Sequence, residues 1–372
     1  MTPSPDADAE RLAALRKLLP ATGAGIYMDT ARAGPLPAET AAAMGEADEW
    51  ELRVGRATAG REQDLAQRTD EARAVIAALL GADPAHVRLA TGVDQALVAA
   101  LWSVDWQVGQ RLAVSAALDR RLIETARSIA VRLALECDMV ESPDDPLRPG
   151  TRLLLAPHVA AGSGELLETS EVGARTRDQG ARLVLDASLS AGSVAIAVEE
   201  LGADTVFLAA DRWLLGPEGT AANWNREPMD AAVALPEPQL PRTTLLGLAR
   251  SVGWLEMYVG LDWALARGQS LAAWLAAELA GTEGVELITP PSAMATIVSF
   301  RLPPDWSVDE AADELGRRVF AIVGTDAELG TLRASVAWFN TRDELERFVR
   351  AVAELARHTP ATLPRRPTLI VR

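Results

Sequence analysis

The side chains able to do chemistry are unevenly supplied in this sequence, and the shortage narrows the choice. Lys17 is the only lysine; the rest of the 36 basic residues are arginines. An amine can attack a carbonyl and shuttle a proton, whereas a guanidinium stays protonated and does neither. Side-chain amine chemistry is therefore confined to Lys17, for which a solvated surface position is expected. Three histidines (His86, His158, His358) and one cysteine, Cys137, are scattered with no zinc-ligand spacing. Cys137 alone forms no internal disulfide and is expected to fill apolar space. There is no Gly-x-Ser-x-Gly elbow and no Walker loop. What remains is carboxylates as acids or bases, and arginines as clamps on carboxylate or phosphate.

The elements that must position such groups alternate along the chain. Ahead of the alternation, 7–19, 41–52 and 62–80 have helical spacing, and 25–28 reads as a short strand. Strands are predicted at 87–90, 111–114, 152–156, 183–185 and 205–208, with helices at 94–103, 122–135 and 170–179 between them. That pattern predicts a largely parallel sheet covered by helices on both faces. Ligands of such sheets lie at the carboxyl ends of the strands, so the loops after Ala90, Ala156, Leu185 and Leu208 carry the interest. From Thr244 a long helical pattern runs to Leu279, with a break near Gly260. Strands at 296–301 and 332–337 and helices at 308–319 and 341–357 then predict a compact α+β unit. The tail from Thr359, with Pro360, Pro364 and Pro367, reads as irregular. The ten tryptophans, mostly at helical spacing, suit core or interface positions.

At 372 residues the chain suits a large domain plus a smaller one. With 49% hydrophobic and 24% charged residues, its composition is that of a soluble globular protein. No apolar run reaches the roughly 18 residues a membrane span needs, and Met1–Glu10 has no signal-peptide pattern. A cytoplasmic location is expected. The net charge of −16 argues against nucleic acid and anionic membrane as partners.

Five segments, in order from about residue 22 to 358, resemble the class V aminotransferase group of pyridoxal-phosphate (PLP) enzymes. They are Tyr27–Pro35, Ala90–Ala96, His158–Gly164 with Leu185–Gly192, Asp211–Gly219, and Leu332–Ser335 with Asn340-Thr341. The nearest relatives in pattern are cysteine desulfurases, isopenicillin N epimerase-like proteins and the ergothioneine-pathway C–S lyase. The resemblance implies PLP fold type I: a mostly parallel, seven-stranded-type sheet between helices, plus a smaller α+β domain. The expected division is 22–245 for the large domain, with 1–21 and 246–372 forming the small one. A homodimer is also implied.

The same segments depart from the family where PLP is held. The family lysine, whose amine forms an imine with the cofactor, falls on Arg212. Asp94 stands where the phosphate turn has a threonine, and Ala209 and Asp211 replace a serine and a histidine. Ala161 and Leu189 replace the asparagine and glutamine that contact the ring oxygen. Between Gln107 and Pro157 there is no His, Phe, Tyr or Trp to stack on the ring. Asp186, the family's partner of the pyridine nitrogen, is retained, as are His158 and Arg333, the latter matching the arginine that grips substrate carboxylate. Arg32, Arg212 and Arg242 are additions to the implied pocket.

The expectation is a diverged member that does not use lysine-bound PLP and needs no cofactor or metal. It acts on a small amino-acid-like or carboxylate metabolite, with Asp186, Asp211 and His158 as catalytic candidates. Arg333, Arg212, Arg32, Arg242 and Asp94 are the substrate-binding candidates, and Arg212 is expected within salt-bridge reach of Asp186. The alternatives are a non-catalytic protein or partner subunit of an active paralogue, and an enzyme using non-covalently bound PLP or its amine form.

Overall fold

The structure, a computed structural model, describes residues 5–227 and 235–364. Residues 33–161 and 166–265 form one compact unit. Its seven strands lie in the order Val87–Ala90, Ala221–Asn225, Thr205–Ala209, Arg182–Asp186, Thr151–Pro157, Arg111–Ser115, Glu136–Val140. Only Ala221–Asn225 runs antiparallel to its neighbours. The central strands are continuous buried apolar runs, such as Leu153–Ala156 and Val206–Leu208. That is the signature of a parallel sheet covered on both faces. Leu97 and Leu101 of the Val93–Trp102 helix and Leu122 of the Arg120–Arg132 helix join Leu112, Leu155 and Phe207 in one core. The expected parallel sheet between helices is therefore what the chain builds.

Two strands of this sheet have no period-two signal. Glu136–Val140 is a short edge strand with charged residues. Ala221–Asn225 is wholly buried yet carries two asparagines. Each asparagine is internally satisfied: Asn223 Nδ2 donates to Ala96 O (2.8 Å), and Asn225 Oδ1 accepts from Thr205 Oγ1 (2.9 Å).

Residues 1–32, 162–165 and 266–372 make the second unit. Its five strands lie in the order Ile26–Met28, Ala321–Asp326, Thr331–Ser335, Ile297–Arg301, Glu286–Leu287. Ile26, Met28, Val298, Phe300, Leu332 and Ala334 form the core face of this sheet, packed with Leu275, Leu315, Phe348 and Val352 from three helices. The units do not divide at 21/22 and 245/246. Residues 22–32 fall in the small unit because Ile26–Met28 pairs in parallel with Ala321–Asp326. Residues 246–265 fall in the large unit, where the Arg242–Gly253 helix packs on the Ala38–Val54 and Arg61–Leu80 helices. The expected break at Gly260 is real. A π-helical turn, Trp254–Gly260, ends there at φ 82° before the Leu261–Ala280 helix begins. Of the irregular tail, residues 365–372 lie outside the described residues.

Candidate functional site

At the carboxyl ends of the strands Thr151–Pro157 and Arg182–Asp186, Pro157 is paired with Asp186, and His158 N donates to Asp186 O (2.9 Å). The Asp186 side chain is buried, and its Oδ1 accepts the Ser188 N–H at 2.8 Å. Ser188 Oγ in turn accepts the Ala209 N–H (3.0 Å), which ties this turn to the next strand. Burial pushes the Asp186 carboxyl above the ordinary range, opposed by the charge of Arg212 and by the Ser188 bonds. His158 is also buried, and desolvation pushes it down to about 4, so its imidazole is neutral at pH 7. Its Nδ1 has no hydrogen-bond partner among the described residues. An orphaned buried polar atom costs about 1–3 kcal/mol.

The loop after Thr205–Ala209 carries Asp211 and Arg212 and is tightly clamped. Gly34 N donates to Asp211 O (2.8 Å), and a Cβ at Gly34 would lie 2.1 Å from Arg212 O. Only glycine fits there. Leu215 closes the turn on Arg212 O in the left-handed region, φ 57°. A non-glycine residue in that conformation costs about 1–3 kcal/mol and persists only when its surroundings hold it. Here Ser251 Oγ donates to Leu215 O (2.7 Å) and lies 2.8 Å from Thr40 Oγ1. The backbone of Arg212 is thus fixed. Among the described residues, its guanidinium makes no hydrogen bond and no ion pair within 4.0 Å. The expected salt bridge to Asp186 is not formed: the Asp186 carboxylate is turned to the Ser188 amide, and Arg212 acts on it at longer range.

The two other aspartates are answered internally. Asp211 Oδ2 accepts the Gly219 N–H at 2.8 Å; burial still raises its pKa, against that bond and the Arg212 charge. Asp94, in the first turn of the Val93–Trp102 helix, forms an ion pair with Arg121 and accepts from Thr125 Oγ1 at 3.3 Å. In the same turn the Thr91 N–H is taken by Gln95 Oε1 (3.2 Å). Arg121 and Ser188 escaped the sequence reading. Arg121 was findable, because Asp119 before it is an N-cap that accepts the Arg121 N–H (2.9 Å) and so puts Arg121 in the first turn of its helix.

Arg242 is not available to a ligand in the way expected. Its Nε pairs with Asp64 Oδ2 (2.8 Å), and its guanidinium lies 4.8 Å from the Trp50 ring centroid, so it locks helices together. Arg333 belongs to the small unit, in register with Gly324 and Ser299. A Cβ at Gly324 would come 2.9 Å from Asp29 Oδ1 and 3.5 Å from Arg333 Nε, so the missing side chain makes room for both. Arg32 also lies in the small unit, where its N–H closes a turn on Asp29 O (3.0 Å). His86 Nδ1 is 2.7 Å from Asn225 O, a structural contact. Among the described residues, no cluster of three His, Cys, Asp or Glu could hold a metal, and no helix is long and apolar enough to cross a membrane.

This doubly covered sheet, with its charged groups at the strand ends, has the architecture of PLP fold type I. The chain belongs to the aminotransferase class-V family, whose model matches residues 26–238. It is 22% identical to a probable cysteine desulfurase of Methanothermobacter thermautotrophicus, over 92% of this chain and 97% of that protein. It is 24% identical to the isopenicillin N epimerase of Streptomyces clavuligerus, over 77% and 84%. Among solved structures, a cystine C–S lyase in complex with its product cysteine persulfide superposes with a TM-score of 0.82 at 17% identity, covering 90% of this chain and 99% of that one. A cysteine desulfurase from Thermococcus onnurineus, in its apo form, gives 0.78 at 21%, covering 96% and 99%. At these identities the structural likeness defines the fold.

Proposed function

We propose that this chain does not carry PLP on a lysine, and that its site acts without the cofactor on a small amino-acid-like or carboxylate metabolite. The observation that carries this reading is arginine at position 212, in a chain whose one lysine, Lys17, belongs to the first helix of the other unit. A guanidinium cannot form the imine or move the substrate proton. The donor set argues the same way for the phosphate. Asp94 and Asp211 put two carboxylates where a dianion would be held, and Arg121 and the Thr91 and Gly219 amides already have partners inside the chain. PLP does not fit these residues.

The groups left over suit a smaller ligand. Arg212 offers an uncommitted anion clamp. Asp186, with its raised pKa, suits an acid or base, and the open Nδ1 of His158 can bond to a ligand. Asp211 is a second candidate acid. In the small unit, Arg333 and Arg32 are candidates for gripping carboxylate. A dry Arg212–Asp186 pair would have favoured a closed, non-catalytic site, and the lack of that pair favours the ligand-binding reading. A homodimer is part of the proposal, and sedimentation near twice 39.6 kDa is its check.

To test the cofactor claim, the full chain is equilibrated with PLP, desalted and examined at the visible edge. Apart from an imine on Lys17 or the α-amine, no retained chromophore is expected, from the wild type or from Arg212→Lys, since the phosphate contacts are lost independently. One equivalent of PLP retained by the wild type, and not traced to Lys17 or the α-amine by borohydride reduction and peptide mapping, overturns the proposal.

A further inference from the structure

We propose that the small unit carries a separate ligand site, for a small organic anion with an apolar body, in the cleft beneath the Pro5–Lys17 helix. The cleft has a volume of about 750 Å³, within the range of roughly 300–1,000 Å³ typical of small-molecule pockets. None of the catalytic or substrate-binding candidates described above lines it. One stripe of the helix faces it, running from Asp8 through Leu12 and Ala13 to Arg16 and Lys17, at the spacing of successive helical turns. Arg267, Pro20 and the start of the Arg342–Ala356 helix supply the other walls.

The charge of the cleft is opposite to that of the molecule. Four basic side chains, Arg16, Lys17, Arg267 and Arg342, face two acidic ones, Asp8 and Asp343, in a chain of net charge −16. Two of the four build the walls. Arg16 bonds to Thr22 O, Phe339 O and Glu344, and Arg267 donates to Trp338 O and Asn340 O. The other two are free to turn to a ligand. Lys17 makes no hydrogen bond or ion pair among the described residues, and Arg342 lies flat over the Trp274 ring, 3.5 Å from its centroid. Arg342's one ion pair, to Glu346 at 3.4 Å, is between exposed groups and weak. A lining that combines these cations with Leu12, Ala13 and Pro20 fits a carboxylate, sulfonate or phosphate borne on an apolar or aromatic frame. The chain's only lysine, exposed as a surface position predicts, is thus also at the edge of this cleft.

That single lysine makes the test sharp, because only Lys17 and the chain's α-amine are primary amines. PLP serves here as a probe that is aromatic, anionic and aldehydic. Its aldehyde condenses with an amine and loses water, and hydride from borohydride then reduces the C=N bond to a stable secondary amine. Peptide mapping reads each position. An α-amine deprotonates more readily than a lysine amine, so unassisted labelling favours the α-amine. The expected result is half-saturation at Lys17 at a concentration at least tenfold below that of the α-amine. Arg342→Ala should erase that preference, and naphthalene-2-sulfonate should compete better than inorganic phosphate. Labelling of Lys17 no better than that of the α-amine overturns the proposal. So does a preference that survives in folded Arg342→Ala, or a lack of competition by the sulfonate. The label reports on the small unit alone, so its failure leaves the desalting result on the large-unit site untouched.

Discussion

The two ends of the large-unit site answer their charges in opposite ways. At the start of the Val93–Trp102 helix and across the turn from Asp211 to Gly219, the aspartates and the amides beside them are matched from within. Asp94 has Arg121 and Thr125, Gln95 takes the Thr91 amide, and Asp211 takes the Gly219 amide. At the ends of the Pro157 and Asp186 strands, the matching is incomplete. His158 Nδ1 is orphaned, the Arg212 guanidinium has no described partner, and Asp186 keeps its carboxyl buried against one amide. A folded chain bears unmatched buried polar groups at a cost, and such groups cluster where a ligand completes them. The difference teaches that the two ends are not equivalent: internal partners close one, and the other is left open.

The sharpest way to break that comparison is to disturb the loop joining the two ends. In Gly34→Ala the new Cβ would lie 2.1 Å from Arg212 O and 2.6 Å from Leu215 Cδ2. Backbone must move, and the strained Leu215 turn must move with it. A loss of about 4 kcal/mol is expected in denaturant unfolding, at the upper end of overpacking costs. A loss below about 1 kcal/mol would mean that the loop is soft and that Arg212 has no fixed place.

The open end also has a pH signature. His158 is held at about 4 in the fold against an ordinary 6.5, so the unfolded chain binds its proton first. Stability is then full above about pH 6.5 and falls as the pH drops toward 4. The gap corresponds to about 3 kcal/mol. Raised carboxyls work in the opposite sense, which is why the wild type must be compared with His158→Asn. Over this window the variant should lose about 3 kcal/mol less than the wild type. Parallel curves would show that His158 charges freely in the fold and is not desolvated.

The fold was legible because its signals are local and repeated. Alternating strands and helices, and five ordered segments, survive heavy substitution. The strands Glu136–Val140, Ala221–Asn225 and Ala321–Asp326 were not legible, since charges, buried asparagines and Gly324 interrupt their alternation. Of the candidate site, Asp186, His158, Asp211 and Arg212 were found through the resemblance of their segments to the family. What each of them touches was not. That Asp94 is paired by Arg121, and that Arg242 is consumed by Asp64, depends on pairs 27 and 178 residues apart in sequence, which no local pattern encodes. The left-handed Leu215 was equally hidden, because its strain is tolerated only through Ser251 and Thr40 from distant helices.

The smallest effect is the most discriminating, and it concerns the sign of a substitution at Asp186. Asparagine keeps the oxygen that accepts the Ser188 N–H and removes the charge. Burial raises the Asp186 pKa, so the folded state holds this proton more tightly than the unfolded chain does. A raised carboxyl adds stability at low pH and loses it as the pH rises through the folded pKa. At pH 7 the ionised group is then a net cost, and Asp186→Asn should stabilise the fold by about 1 kcal/mol. The gain should vanish below about pH 3.9, the ordinary aspartate value, where both states are protonated. If Asp186 and Arg212 instead formed a dry internal pair, removing one partner would strand the other and cost about 3–5 kcal/mol. The double variant with Arg212→Met separates the cases further. Coupling below about 1 kcal/mol is expected for groups that interact only at longer range, and a larger value would mean that the open end is closed after all. A stabilised, near-additive Asp186→Asn is the result that keeps this end of the site poised for a ligand.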